Sequence, residues 1–194
     1  MSLRAEHVEA TRRAVLDAAR TLFGSRGYAQ TSVDEIASAA RVTKGAVYHH
    51  FASKEALFRA VYVEVEVDAQ ARAGAAMRPE APAVDQIVAV IQGYLDAALD
   101  EEIKRITLID GPALLGLEPD VPELQTAHEN VAAFLAAAIA RGELVDVDPD
   151  VLAHLVGGLT LQGGLLIARA EDPDAARESL RHAMTALLRG LTPR

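Results

Sequence analysis

Lys44 and Lys54 each open a helical pattern, at the end of the helix dipole that disfavours a cation by roughly 0.3–1 kcal/mol. An external anion removes that cost, and helix N-termini themselves bind phosphate. Exposed lysines are common and the cost is small, so neither residue decides the question alone. Gly45 follows Lys44 and costs about 1 kcal/mol relative to Ala inside a helix. Close approach to a partner's backbone would be the return; plain tolerance is the alternative. Val47 and Phe51 are the apolar positions of the same pattern and turn inward. That leaves Lys44, Gly45, Tyr48 and His49 outside. Side chains of these types bind phosphate and read base edges, so the chemistry on offer is recognition of nucleic acid.

The elements that must hold those residues lie within 31–58, TSVDEIASAARVTKGAVYHHFASKEALF. Ser32 caps a first helix, and Glu35 three residues on completes a capping box. Val33, Ile36, Ala37 and Ala40 then share one helical face. Arg41-Val42-Thr43 is long enough only for a turn. Thr43 caps the next helix, and Val42 before it staples onto Val47. Ser53 caps a third helix that Leu57 and Phe58 begin to bury. Two short helices crossing over such a turn make a helix-turn-helix, whose second helix fits a DNA major groove.

Thr31, Ile36, Ala37, Ala40, Val42, Thr43, Gly45, Val47, Tyr48, His50, Phe51, Ser53, Lys54, Glu55 and Leu57 together resemble the DNA-binding domain of the TetR family of bacterial transcriptional repressors. One departure stands out: Arg41 occupies the place where the family usually has Gly. A turn residue with positive φ suits Gly best, so either the turn is slightly strained or it differs locally, or Arg41 reaches a phosphate. The resemblance implies an all-α chain of about nine helices. It divides into a helix-turn-helix domain over 1–54 and a larger helical regulatory and dimerisation domain over 55–194. It implies double-stranded operator DNA as partner, bound by a homodimer whose last two helices form a four-helix bundle with the partner's. The DNA-contacting set is then Ser32, Arg41, Thr43, Lys44, Gly45, Tyr48, His49 and Lys54. An unidentified small-molecule effector would occupy the C-terminal helices.

Composition sets the bounds. The chain has 194 residues and no Cys, which excludes disulfides and thiolate metal sites. There is no H-E-x-x-H, no G-x-x-x-x-G-K and no G-x-S-x-G. Adjacent His49 and His50 diverge by about 100° on a helix and chelate poorly. No catalytic residue, cofactor or metal is expected. No uninterrupted apolar run approaches the ~20 residues of a membrane span, and MSLRAEHVEATRR lacks a signal-peptide apolar region, so a cytoplasmic protein is the default. The net charge of −9 is unevenly divided. Residues 1–60 hold nine Lys and Arg against six Asp and Glu; the remainder holds ten against 22. The head attracts DNA and the acidic bulk repels it.

Along the rest of the chain, a first helix runs from about Val8 to Phe23, with Gly24 suited to its cap. In the fourth, from Lys54 to about Ala76, Val61, Val63, Val65 and Val67 alternate with polar residues like a strand. Helix is still expected, because the flanks hold no breaker and a lone strand would lack a partner. A fifth helix (about Ala83 to Leu99) is amphipathic. A short sixth (Ile103 to Asp110) is stopped by Gly111-Pro112, within a segment, Arg105–Leu117, that resembles one C-terminal subgroup of the family. A seventh (Pro122 to Arg141) turns Leu124, Val131, Phe134, Leu135 and Ile139 inward. Asp148-Pro149-Asp150 and Asp172-Pro173-Asp174 each offer an Asp cap, Pro at the first helical position and an acidic first turn.

The last two helices carry surplus apolar surface, expected to pair across a twofold axis through Leu155, Leu159, Gln162, Leu166, Met184, Leu187 and Leu191. Polar residues set among apolar ones, Tyr94, Thr107, Asp110, His128 and Gln162, are candidates to line an effector pocket, though such groups are more often hydrogen-bonded core. Few cations lie inside these helices, which favours an apolar or neutral effector. The rival reading is a helical small-molecule carrier or enzyme that keeps a vestigial DNA-binding module. Steep salt dependence of DNA binding separates the two.

Overall fold

Helices begin at the caps the sequence marks. In the computed structural model, which describes residues 3–116 and 121–193, every regular element among those residues is helical. The order is α1 (Leu3–Arg26), α2 (Val33–Ala39), α3 (Lys44–His50), α4 (Lys54–Gly74) and α5 (Ala83–Ala97). A continuous helical run follows, made of α6 (Glu101–Ile103), a π-helical segment (Lys104–Asp110) and α7 (Gly111–Leu115). The chain closes with α8 (Pro122–Ala140), α9 (Pro149–Arg169) and α10 (Pro173–Arg189). Ser32 and Glu35 form the full capping box of α2. Asp148 accepts from the amides of Asp150 and Val151, and Asp172 from that of Ala175, so both Asp-Pro-Asp devices work as caps.

The chain divides into two compact units, Met1–Glu66 with Glu101–Glu118, and Val67–Asp100 with Pro119–Arg194. The expected division after residue 54 therefore placed 55–66 and 101–116 in a different unit from the one they cluster with. In the first unit, Val15, Leu16, Ala19 and Phe23 of α1 meet Ile36, Val47, Leu57, Phe58 and Val61, all nearly or fully buried. The rings of Phe23 and Phe58 meet edge to face at 5.3 Å, and Tyr28 closes the cluster. Alternation along α4 does not decide its structure. Leu57, Phe58, Val61, Val65 and Ala69 are completely buried at helical spacing, while Val67 is exposed.

In the second unit, α5, α8, α9 and α10 enclose Ile91, Leu95, Leu135, Leu152, Leu165, Ile167 and Leu188. Gly163 makes room for its neighbours there: a Cβ on it would stand 2.6 Å from Met184 Cε and 2.9 Å from Leu95 Cδ2, so both side-chain ends would have to shift.

Three expectations need correction. The first helix does not stop at Gly24. It runs on to Arg26, and Gly27, with φ +82°, ends it by bonding back to the Phe23 carbonyl at 2.8 Å. Gly24 instead admits Glu102, whose Cγ would lie 3.2 Å from an added Cβ. Val8 and Val131, expected inward, are exposed, because α1 begins before the core does and Ala132, Leu135 and Ala138 form the buried face of α8.

Gly111-Pro112 does not stop a helix either. The Gly111 amide bonds to the Ile106 carbonyl, five residues back, and Pro112 sits in the first turn of α7 where its missing N–H costs nothing. Gly111 is buried against Tyr62; an added Cβ would lie 2.6 Å from Tyr62 Cε2 and 2.9 Å from the Ile106 oxygen. Gly111→Ala should accordingly lose about 1–3 kcal/mol of stability through overpacking. Gly74→Ala, where a Cβ meets nothing within 4 Å, should be neutral or gain up to about 1 kcal/mol. Thermal melts followed by circular dichroism check the pair, and equal melting temperatures would contradict the packing described.

Candidate nucleic-acid interface

The turn between α2 and α3 aims the candidate reading residues. The Arg41 amide bonds to the Ser38 carbonyl at 3.1 Å and the Val42 amide to the Ala37 carbonyl at 2.9 Å, the paired bonds of a Schellman ending. That ending needs a left-handed residue, and Arg41 supplies it with φ 57°. Such a conformation costs a non-glycine residue about 1–2 kcal/mol. Of the two backbone alternatives the sequence leaves open, the strained turn is the one adopted, and the Arg41 side chain is exposed.

From this turn α3 starts at the Thr43 cap, whose hydroxyl accepts from the Ala46 amide at 3.1 Å. Val47 is 1% exposed and Phe51 is buried. Thr43, Lys44, Gly45, Tyr48 and His49 are exposed together, with Tyr48 at 47%. His50 is half-buried, its ring 5.3 Å from that of His49. A Cβ on Gly45 would meet only Thr43 Oγ1, at 3.8 Å. Nothing within the chain demands glycine there, and its missing side chain leaves open space on the outer face.

Besides the Thr43 cap, three of the expected contacts are already engaged within the chain. Lys44 Nζ pairs with Asp34 Oδ2 at 2.8 Å, with both side chains more than half exposed, so water competes for the pair and a phosphate can replace the carboxylate at small cost. Ser32 Oγ donates to Glu35 Oε2 at 2.7 Å and accepts from the Glu35 amide at 3.2 Å. The Ser32 backbone and hydroxyl, then Arg26, hold the Glu35 carboxyl below its usual pKa.

Lys54 differs more. Its Nζ donates to the Tyr28 carbonyl at 2.6 Å and lies 3.9 Å from the centroid of the Tyr28 ring. Burial pushes its pKa down, against the nearby carboxylates of Asp110 and Glu35. Sequence reasoning missed Asp34 and Tyr28 as partners. The acidic first turn of α2 hinted at Asp34; nothing local hinted at Tyr28.

The pocket candidates are divided between the two units. Thr107 and Asp110 belong to the first. The Thr107 hydroxyl donates to the Ile103 carbonyl at 2.8 Å, and Asp110 Oδ2 accepts from the Tyr28 amide at 2.7 Å. The second holds Tyr94, buried on α5, His128, whose ring centroid lies 4.1 Å from that of His154, and Gln162, exposed on α9. Of the candidate pairing residues, Leu155, Leu166 and Leu187 are 60%, 49% and 63% exposed. Gln162 is also exposed, and Leu159 and Leu191 are half-buried. Met184 is the exception: it is 6% exposed, held against Gly163 inside its own unit.

Residues 15–61 match the model for bacterial regulatory proteins of the tetR family, and residues 84–191 the model for the tetracyclin repressor-like C-terminal domain. The chain is 31% identical to the Transposon Tn10 TetC protein of Escherichia coli over 79% of this chain and 78% of that one. It is 38% identical to an HTH-type transcriptional repressor of Mycobacterium tuberculosis over 87% and 88%. A crystal structure of a TetR-family transcriptional regulator from Pectobacterium atrosepticum superposes with a TM-score of 0.86 at 34% identity, covering 100% of this chain and 99% of that one.

Substitutions at two positions separate folding from recognition at this face. Arg41→Gly should hold or raise the melting temperature by relieving the left-handed residue, and Arg41→Val should lower it. Gly45→Ala should stabilise by up to about 1 kcal/mol while weakening any partner that approaches α3 closely. Calorimetry with a duplex-binding assay on the same preparations reads both effects; a Gly45→Ala protein that binds DNA normally would remove the close-approach argument.

Proposed function

The chain belongs to the TetR family of bacterial regulatory proteins, and from that premise we propose that it represses transcription as a homodimer on a roughly palindromic operator, releasing it when a small uncharged molecule binds the second unit. Membership makes it a DNA-binding regulator of transcription. The rest is supported by one observation above all. α3 exposes Lys44, Gly45, Tyr48 and His49 on one side while Val47 holds the other, and a helix so mounted fits a major groove about 12 Å wide. The positive head and negative remainder orient the approach. Acting on DNA, the protein works in the cytoplasm.

Support for the homodimer comes from α9 and α10. Val151, Leu155 and Leu166 stand exposed along one face of α9, with Gly158 and Gln162 between them, and Leu187 stands exposed on α10. By length and composition Pro149–Arg169 could cross a membrane, and only 33% of its most apolar window is buried. A second copy of the same face covers this surface by twofold pairing, as a reader of a palindrome requires. The uncharged effector is supported by the interior of the second unit. Its described buried side chains are apolar apart from Tyr94 and Gln86, and Gln86 donates to the carbonyls of Pro79 and Ala81.

The deciding experiment is selection of a duplex from a random pool, then affinity against salt. Binding should fall steeply, with a slope near −0.9 for each phosphate neutralised. Lys44→Ala should weaken selected and random duplex alike and reduce that slope by about one. His49→Ala should cost about 1–3 kcal/mol more on the selected duplex. Failure to select any duplex would favour the carrier reading. For assembly, Leu187→Arg should give a folded monomer by sedimentation; a wild-type monomer at micromolar concentration would refute the pairing.

A further inference from the structure

The turn that leads into the helix-turn-helix is held from outside it. Tyr28 follows Gly27, where α1 has ended, so its amide has no helical partner. Asp110 Oδ2 takes that N–H at 2.7 Å across 82 residues of sequence. On the other side of the same residue, Lys54 Nζ takes the carbonyl at 2.6 Å. One residue is thus gripped at both backbone polar groups by side chains of opposite charge from two different elements. The Asp110 carboxylate also favours the charged form of Lys54, against the burial that disfavours it.

The seat is built around this grip. An added Cβ on Gly27 would lie 3.3 Å from Asp110 Oδ2 and 3.4 Å from Arg105 Cδ. About two turns earlier on each side, Arg20 holds Glu102 with two bonds of 3.0 and 2.8 Å, across the gap that Gly24 leaves. Onward from Tyr28, the Thr31 amide bonds to the Tyr28 carbonyl at 3.2 Å and the Thr31 hydroxyl to the Gly27 carbonyl at 2.9 Å. The next residue is Ser32, the cap of α2. The grip on Tyr28 therefore reaches α2 through Thr31 and the cap residue that follows it in the chain, and α2 packs on α3.

We propose that Asp110 is a positioning residue for DNA reading: from the π-helical segment it fixes the Tyr28 turn, and through it the placement of α2 and α3. The proposal rests on the DNA-binding reading above. It has a sign that distinguishes it from plain electrostatics. Removing a carboxylate from a protein that binds a polyanion should by charge alone tighten binding. Loss of positioning weakens it.

The test uses the full-length chain with Asp110→Ala and Asp110→Asn. Amide exchange by NMR is read without DNA. In Asp110→Ala the Tyr28 amide should exchange at least about tenfold faster, the loss of one charge-assisted hydrogen bond, while α4 amides keep their protection. On the duplex selected by the wild type, the Ala variant should bind about tenfold more weakly with an unchanged salt slope, since no cation is lost. The Asn variant, which keeps a carbonyl acceptor of the same reach, should recover most of that affinity and of the Tyr28 protection. Should the Ala variant prove unfolded at the assay temperature, the Asn variant decides: a Tyr28 amide still protected and affinity within about threefold of wild type support the grip, and an unprotected amide with unchanged affinity overturns it. An Ala variant that binds the duplex as tightly as wild type, or more tightly, overturns the proposal. If the wild type selects no duplex, the DNA-binding reading fails instead, and protected Tyr28 exchange in the Ala variant would still overturn the grip.

Discussion

A helix of seven residues does not hold itself together in water, because the cost of its first turn is not recovered over so short a length. α3 (Lys44–His50) is such a helix. Its existence depends on Val47 and Phe51 being buried among residues of the first unit, and on the Thr43 and Arg41 geometry at its start. Every exposed residue of the reading face is placed by that burial. The face can be polar and open because, apart from the Thr43 cap, its exposed side chains are not what keeps the helix formed.

The same economy explains where the chain tolerates unfavourable local choices. Arg41 keeps a left-handed backbone that glycine would adopt more cheaply, and Gly45 sits in a helix that alanine would suit better. Both exceptions fall within five residues of each other, on the exposed side of the module. Gly24, Gly27, Gly111 and Gly163 are different in kind. Each leaves a gap that a named neighbour fills, so their absence of side chain serves packing within the chain.

Charge works at two ranges. At long range the head and the acidic remainder carry opposite balances. At short range, exposed pairs such as Lys44 with Asp34 contribute little to stability and leave the cation available to a stronger anion. Lys54 is the opposite case: partly buried, bonded to a carbonyl and set over a ring, it is a structural member of the head first.

The sequence alone determined most of what depends on capping and helical period, though not the end of α1 at Gly27 or the π turn at Gly111. Caps at Ser32, Thr43, Asp148 and Asp172 formed as marked, and the helical period placed Val47 inward and Tyr48 outward, while the left-handed backbone at Arg41 was one of two local alternatives that the structure decided. Family likeness was legible for the same reason, since its motif is a string of such local requirements. Only tertiary structure decided the partners drawn from far along the chain. Asp110 meets Tyr28 across 82 residues, Lys54 meets Tyr28 across 26, and Met184 turns onto Gly163 instead of outward. It also decided that Gly111-Pro112 continues a helix through a π turn against Tyr62. Local propensity fixes which backbone states are cheap. Which side chain fills a gap or answers an unpaired amide depends on packing, and packing is settled only when distant segments compete for the same space.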